Sequence, residues 1–168
     1  RHQASMGLVN QGVTFGQLER LEDEISAYDR VLEYVRSDDT EELRQQATKG
    51  LINQGFRLGQ LERPEDQIAA YDRVLEYARP NDTEELRQHA TTGLSMQGVR
   101  LWQLERLEDV ITAYDRMLEY IRPEDPEELR QKAAIGLVNL GVTFAQLERL
   151  EEAVAAYDRV LDYVRPED

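Results

Sequence analysis

Apolar positions along this chain follow a helical period. From Leu43 they run through Ala47, Leu51, Gly55, Leu58 and Leu61, spaced by three and four residues along one face of a helix. A second stripe holds Leu21, Ile25, Tyr28, Leu32 and Val35, flanked by Ala27, Val31 and Tyr34. Nowhere do apolar and polar residues alternate one by one, so no strand is expected and the fold class is all-α.

Local signals set expected ends for these helices. Asp39-Thr40-Glu41-Glu42, Asp82-Thr83-Glu84-Glu85 and Asp125-Pro126-Glu127-Glu128 mark the start of a first helix of about 20 residues, about 30 Å long. Each Asp is expected to cap free backbone N–H groups, with a Glu three residues on completing a capping box. Pro126 suits the first helical position, where its missing N–H costs nothing. A tight turn near Glu19-Arg20 then leads into a second helix, which Pro64 opens in its second occurrence. Arg79-Pro80, Arg122-Pro123 and Arg165-Pro166 are expected to stop that helix, because proline disfavours helix in the residue before it.

The whole two-helix pattern recurs. Tyr28, Tyr71, Tyr114 and Tyr157 are 43 residues apart, as are Gly12, Gly55, Gly98 and Gly141. Gln17-Leu18-Glu19-Arg20 returns three times in the same register. Roughly 30 positions of residues 1–43 are identical in 44–86, which points to recent duplication or deliberate design. Such repetition predicts a single solenoid of four helix-turn-helix repeats: 1–39, 40–82, 83–125 and 126–168. Gly7, Gly50, Gly93 and Gly136 lie inside the first helices, where glycine costs about 1 kcal/mol relative to alanine, and so predict close helix–helix approach.

These residues resemble the tetratricopeptide repeat (TPR). Leu8, Gln11, Gly12 and Phe15, followed by Tyr28, stand at the family's large, Leu-Gly and aromatic positions, and Leu147 to Val154 is similar to its turn and second-helix start. The resemblance covers the chain and implies a right-handed α-solenoid whose first helices line a concave groove that receives peptides. Three features depart from the family. The repeat is 43 residues long where the family has about 34. Glu19, Glu62, Glu105 and Glu148 stand at a turn position where the family often has glycine. The small residue on which the two helices close is alanine only at Ala153, and is Glu24, Gln67 and Val110 elsewhere.

By this resemblance the groove stripe starts at Met6, Val9 and Val13 in the first repeat. It continues through Lys49, Ile52 and Phe56, then Thr92, Ser95, Val99 and Trp102, and ends on Ile135, Val138 and Val142. These residues either form an apolar groove anchored by Phe56 and Trp102 or pack between neighbouring helices. Asn10, Asn53 and Asn139, with Lys49, Arg57 and Arg100, suggest a clamp for a peptide's terminal carboxylate, but Met96 interrupts the series and the paired basic pattern is not recognisable.

Composition narrows the partners. Asp and Glu number 34 against 20 Lys and Arg, giving a net charge of −14. Such a surface repels phosphate backbones and favours basic or apolar protein partners, so no nucleic acid is expected. No apolar run approaches the roughly 18 residues of a membrane span, so a soluble chain without membrane insertion is expected, its compartment left open with the cytoplasm favoured. Cysteine is absent, and His2 and His89 share no register, so neither a metal site, a cofactor nor a catalytic group is expected. Asp29-Arg30 and its repeats suggest ion pairs between helices. The chain starts within an element at Arg1, and its last helix keeps a full apolar face of Val154, Tyr157, Val160, Leu161 and Val164. Either it was cut from a longer array, or its ends stack head-to-tail on other copies, or one end is simply exposed. The expected function is a non-enzymatic protein-interaction scaffold, the alternative a structural protein whose repeats stack end to end into a fibre.

Overall fold

A computed structural model describes residues 1–164. Among them the elements are helices α1 (His2–Gln17), α2 (Leu21–Tyr34), α3 (Glu41–Gln60), α4 (Pro64–Tyr77), α5 (Glu84–Gln103), α6 (Leu107–Leu118), α7 (Glu127–Gln146) and α8 (Leu150–Arg159), then a 3₁₀ turn at Val160–Asp162. The fold is an all-α helical-repeat solenoid. Three of the four first helices have 20 residues, as the long period requires. Two compact units divide the chain, residues 1–93 and residues from 94 onward, with the boundary inside α5.

In the first unit α1 packs on α2, α2 on α3, α3 on α4 and α1 on α3. Its core gathers Leu8, Val9, Val31, Val35, Ala47, Leu51, Val74 and Tyr77. In the second, α6 packs on α7 and α7 on α8. Leu129, Ala133, Leu137 and Leu140 line the buried face of α7.

Each helix pair closes on a tyrosine ring. A Cβ at Gly12 would lie 2.8 Å from Tyr28 Cζ, one at Gly55 2.8 Å from Tyr71 Cζ, and one at Gly98 2.8 Å from Tyr114 Cζ. Those are overlaps with rigid rings, so only glycine fits. The other glycine series behaves differently from expectation. At Gly50 the nearest atom, on Tyr28, would be 3.7 Å away, and at Gly93 the nearest is 3.4 Å, on Val74. Gly7 has nothing within 4 Å, and only at Gly136, under the flexible end of Met117, is the approach tight. Close approach is thus enforced by Gly12, Gly55, Gly98 and Gly141, not by the series of Gly7.

Turns between paired helices share one geometry. Glu19, Glu62, Glu105 and Glu148 all have left-handed backbones, with φ of 57°, 55°, 58° and 59°. At the first of them Glu19 N–H donates to Gly16 O and Arg20 N–H to Phe15 O, the double bond of a Schellman motif, and the other three repeat it. This is the position at which the family that the sequence resembles often uses glycine, and the backbone there is strained for a residue with a side chain.

Two capping expectations are corrected. Asp39, Asp82 and Asp125 do not cap the following helix. Their carboxylates accept instead from the backbone N–H of Arg36, Arg79 and Arg122, three residues back. Thr40 and Pro126 take the N-cap positions without a side-chain bond to the helix's free N–H groups, so Pro126 stands just before the helix. Proline does not set the end of the second helix either. Helix α2, followed by Ser37 where the later repeats have proline, ends at Tyr34 in the same register as α4 at Tyr77. Both chains turn extended at a buried apolar residue, Val35 or Ala78. Arg165-Pro166 lies outside the described residues.

An arginine secures each of these ends. Buried Arg44 donates to Tyr77 O at 3.0 Å and grips Asp82 with two bonds of 2.6 and 2.9 Å. Arg1 bonds Tyr34 O and pairs with Asp39, and Arg130 bonds Tyr163 O at 2.9 Å. Burial alone would raise the Asp82 carboxyl, but Arg44 and the Arg79 amide outweigh it and hold the group below the usual carboxylate range.

Three measurements check this account. Gly55→Ala is expected to lower stability by about 2 kcal/mol or more by overpacking, whereas Gly50→Ala raises it by about 0.5–1 kcal/mol through lower unfolded-state entropy. Urea unfolding of both variants reads the opposite signs. Glu62→Gly relieves the left-handed strain and is expected to stabilise by about 1 kcal/mol; an unchanged or lower unfolding midpoint contradicts that reading. Because Asp82 is held ionised in the fold, its contribution is complete above the ordinary carboxylate pKa of about 3.9 and fades as pH falls through its lower folded value. The stability gap between the wild type and Asp82→Asn should therefore be wider at about pH 7 than at about pH 3.

Candidate binding clefts

First helices expose most of the predicted stripe, and a cleft lies on it in each unit. In the first unit a cleft of about 310 Å³ is lined by Val13, Gly16, Glu24, Tyr28, Asn53, Phe56 and Arg57, with Gln17 at its edge. Val13 and Phe56 are exposed along it, as is Met6 farther up α1. Its floor is polar. Arg57 Nε lies 2.6 Å from the buried Glu24 carboxylate, Tyr28 OH donates to Glu24 Oε1 at 3.0 Å, and Asn53 Nδ2 donates to Tyr28 OH at 3.3 Å. Burial first, and then the bond to Glu24, raises the Tyr28 hydroxyl well above its ordinary pKa, so it stays a donor. Gly16 makes room for the pair: a Cβ there would meet Glu24 Oε2 at 2.5 Å and Arg57 Nη2 at 2.7 Å.

The second unit holds an apolar counterpart of about 240 Å³, lined by Val99, Trp102, Val110, Tyr114, Asn139 and Val142. Trp102 takes the register position of Gly16, and Val110 that of Glu24, so no charge lies beneath it. The chain's one tryptophan is 49% exposed here. Asn139 Nδ2 donates to Tyr114 OH at 2.9 Å. Val99 and Val142 are exposed at the cleft, and Ile135 and Val138 along the same helix α7.

The remaining stripe positions divide. Val9 is only 8% exposed and joins the core with Ala47 and Leu51, because α3 packs on that flank of α1. It does not line the cleft. Lys49 is paired with Glu85 at 3.1 Å, Ile52 is half-buried against the core, Thr92 Oγ1 donates to Gln88 O, and Ser95 is half-buried. Asn53 and Asn139 spend their amides on tyrosine hydroxyls and Arg57 is neutralised by Glu24, so the carboxylate-clamp reading loses those groups. His89 Nδ1 bonds Thr48 Oγ1 at 2.7 Å, and no group of three potential metal ligands occurs among the described residues. Asp29 accepts from the Gln54 amide of α3 at 2.8 Å, a hydrogen bond from an uncharged donor where an ion pair between helices was expected.

The Glu24–Arg57 pair was not foreseen as a unit. Its signal lay in the register: Glu24 gives way to Gln67, Val110 and Ala153, while Arg57 gives way to Arg100 and Thr143. Only the first of these positions combines opposite charges.

Comparison with known proteins agrees with this architecture. Residues 134–163 match the family model of the tetratricopeptide repeat. BtubC (BKLC) from P. vanneervenii is similar in fold, with a TM-score of 0.61 and 15% identity over 95% of this chain and 62% of that one. The chain therefore spans less than two thirds of BtubC. A double mutant of MamA RS-1 gives a TM-score of 0.50 at 13% identity, over 98% of this chain and 97% of that one. No curated protein sequence matches. The chain is a TPR-like helical-repeat protein. No helix among the described residues is long and apolar enough to cross a membrane.

Proposed function

We propose that this chain is a protein-interaction scaffold that takes an apolar peptide or helix segment of a partner into the clefts of its first helices, and that it works by binding rather than catalysis. The carrying observation is Trp102, half-exposed at the mouth of an apolar cleft whose floor is already satisfied by the Asn139–Tyr114 bond. A large aromatic held open beside Val99 and Val142 is the kind of residue that dominates interface energy once water is excluded. TPR-like architecture supports the same reading, since such folds present helices to partner proteins. The net charge of −14 favours a segment with basic residues flanking its apolar anchor, drawn in faster at low salt.

Trp102 is also the only indole reporter in the chain. Peptides selected on the immobilised protein from a random library are expected to shift or quench its emission in a saturable way. Trp102→Ala should weaken the same peptides by more than about 1 kcal/mol, roughly fivefold, with unfolding unchanged. Selected peptides that bind the variant as tightly as the wild type would remove this cleft from the account.

A further inference from the structure

The ends of the described chain carry two complementary halves of one joint. Inside the chain that joint is formed between the second helix of one repeat and the first helix of the next. Where α2 meets α3, the Tyr28 ring lies over Gly50, Asn53 donates to the Tyr28 hydroxyl, Gln54 donates to Asp29, and Arg63 lies 3.6 Å from Glu22. Ile25 packs with Leu58 beside them. Where α6 meets α7 the pattern returns, with Tyr114 over Gly136, Asn139 on its hydroxyl, and Arg149 3.3 Å from Glu108.

Helix α1 repeats the receiving half residue for residue. Gly7, Asn10, Gln11 and Arg20 are the same residue types, in the same register, as Gly50, Asn53, Gln54 and Arg63. Gly7 has nothing within 4 Å, and Asn10, Gln11 and Arg20 are exposed. The α8 end repeats the inserting half: Glu151, Tyr157 and Asp158 stand where Glu22, Tyr28 and Asp29 do. Tyr157 is 41% exposed where Tyr28 is 1% exposed, and Val154 is 58% exposed where Ile25 is 7% exposed. What the inner joint covers is open at both ends.

We propose that α1 of one copy docks on the α8 face of a second copy, reproducing the inner joint between chains. Tyr157 lies over Gly7 of the next copy, Asn10 donates to its hydroxyl, Gln11 donates to Asp158, and Arg20 pairs with Glu151. Val154 covers Phe15, which stands in the register of Leu58. The contact joins two different surfaces, so it leaves one free half at each end and copies add head-to-tail. The occupant is a second copy because the polar partners match pair by pair, which a generic apolar partner has no reason to do. The surface is separate from the clefts of the proposed scaffold.

The test is light scattering after size exclusion on the 168-residue chain, from about 1 μM to about 1 mM. Mass is expected to rise with concentration above 19.5 kDa in steps of one chain. Gly7→Arg blocks one half at a position with open space around it, and Val154→Glu blocks the other at an exposed position, so both variants should keep the wild-type helical signal, Gly7→Arg unfolding no earlier than the wild type because it removes a glycine from a helix. Each alone stays at one chain. An equimolar mixture forms dimers and stops there, because each variant retains the half the other has lost. A constant mass near 19.5 kDa for the wild type overturns the proposal, as it would if these faces serve only covalently attached repeats. Growth of either single variant overturns it too, since it would mark unspecific apolar clustering.

Discussion

A tyrosine ring laid on a bare glycine is the contact on which the repeat depends. Tyr28, Tyr71 and Tyr114 each press on a glycine of their own first helix, and the rings of Tyr28 and Tyr114 also reach the first helix of the following repeat, at Gly50 and Gly136, while Gly93 faces Val74 and the Tyr71 backbone. One side chain thereby couples the helix pair to its neighbour. The Tyr28 ring needs a flat seat on one side only; on the other, ordinary van der Waals spacing suffices at Gly50. That difference explains why two glycine series with the same period have unlike roles.

Polar groups are consumed in holding this frame. Arg44 is spent on the end of α4, Asn53 and Asn139 on tyrosine hydroxyls, and Arg57 on Glu24. Leaving such groups buried without partners would cost more than forming the bonds gains, so each is committed to the scaffold. Apolar and aromatic side chains, Val13, Phe56, Val99, Trp102 and Val142 among them, stay exposed on the first helices, and the proposed function assigns them to a partner. Variation between repeats then acts locally. Exchanging Glu24 and Gly16 in the first unit for Val110 and Trp102 in the second turns a charged cleft floor into an apolar one with the frame unchanged.

Much of this was legible in the chain of letters. Periodicity of three and four residues placed the helices, the 43-residue register placed the repeats, and the resemblance to the tetratricopeptide repeat picked out Phe56, Val99, Trp102 and Val142 as part of a stripe, and these four are exposed in the fold. The helices and repeats are local or recur at fixed offsets, so spacing alone carries them. Val9 was misplaced because one position around a helix separates a cleft wall from a core, and only the packing of α3 on α1 decides which it is. Asp39 was assigned to the wrong helix end for a similar reason: its carboxylate can reach forward or back, and the backbone path after Val35 turns it towards Arg36.

The sequence by itself determined an all-α chain of near-identical two-helix units, their lengths, and the residue types available at each register position, because helical period and repetition are properties of order along the chain. Tertiary structure decided which of those residues meet. It chose Gly12 over Gly7 as the seat of Tyr28, joined Glu24 to Arg57 across 33 positions, and placed four glutamates in left-handed turns that the letters favour least. Those outcomes rest on distances of closest approach between helices, and such distances exist only once the helices have packed.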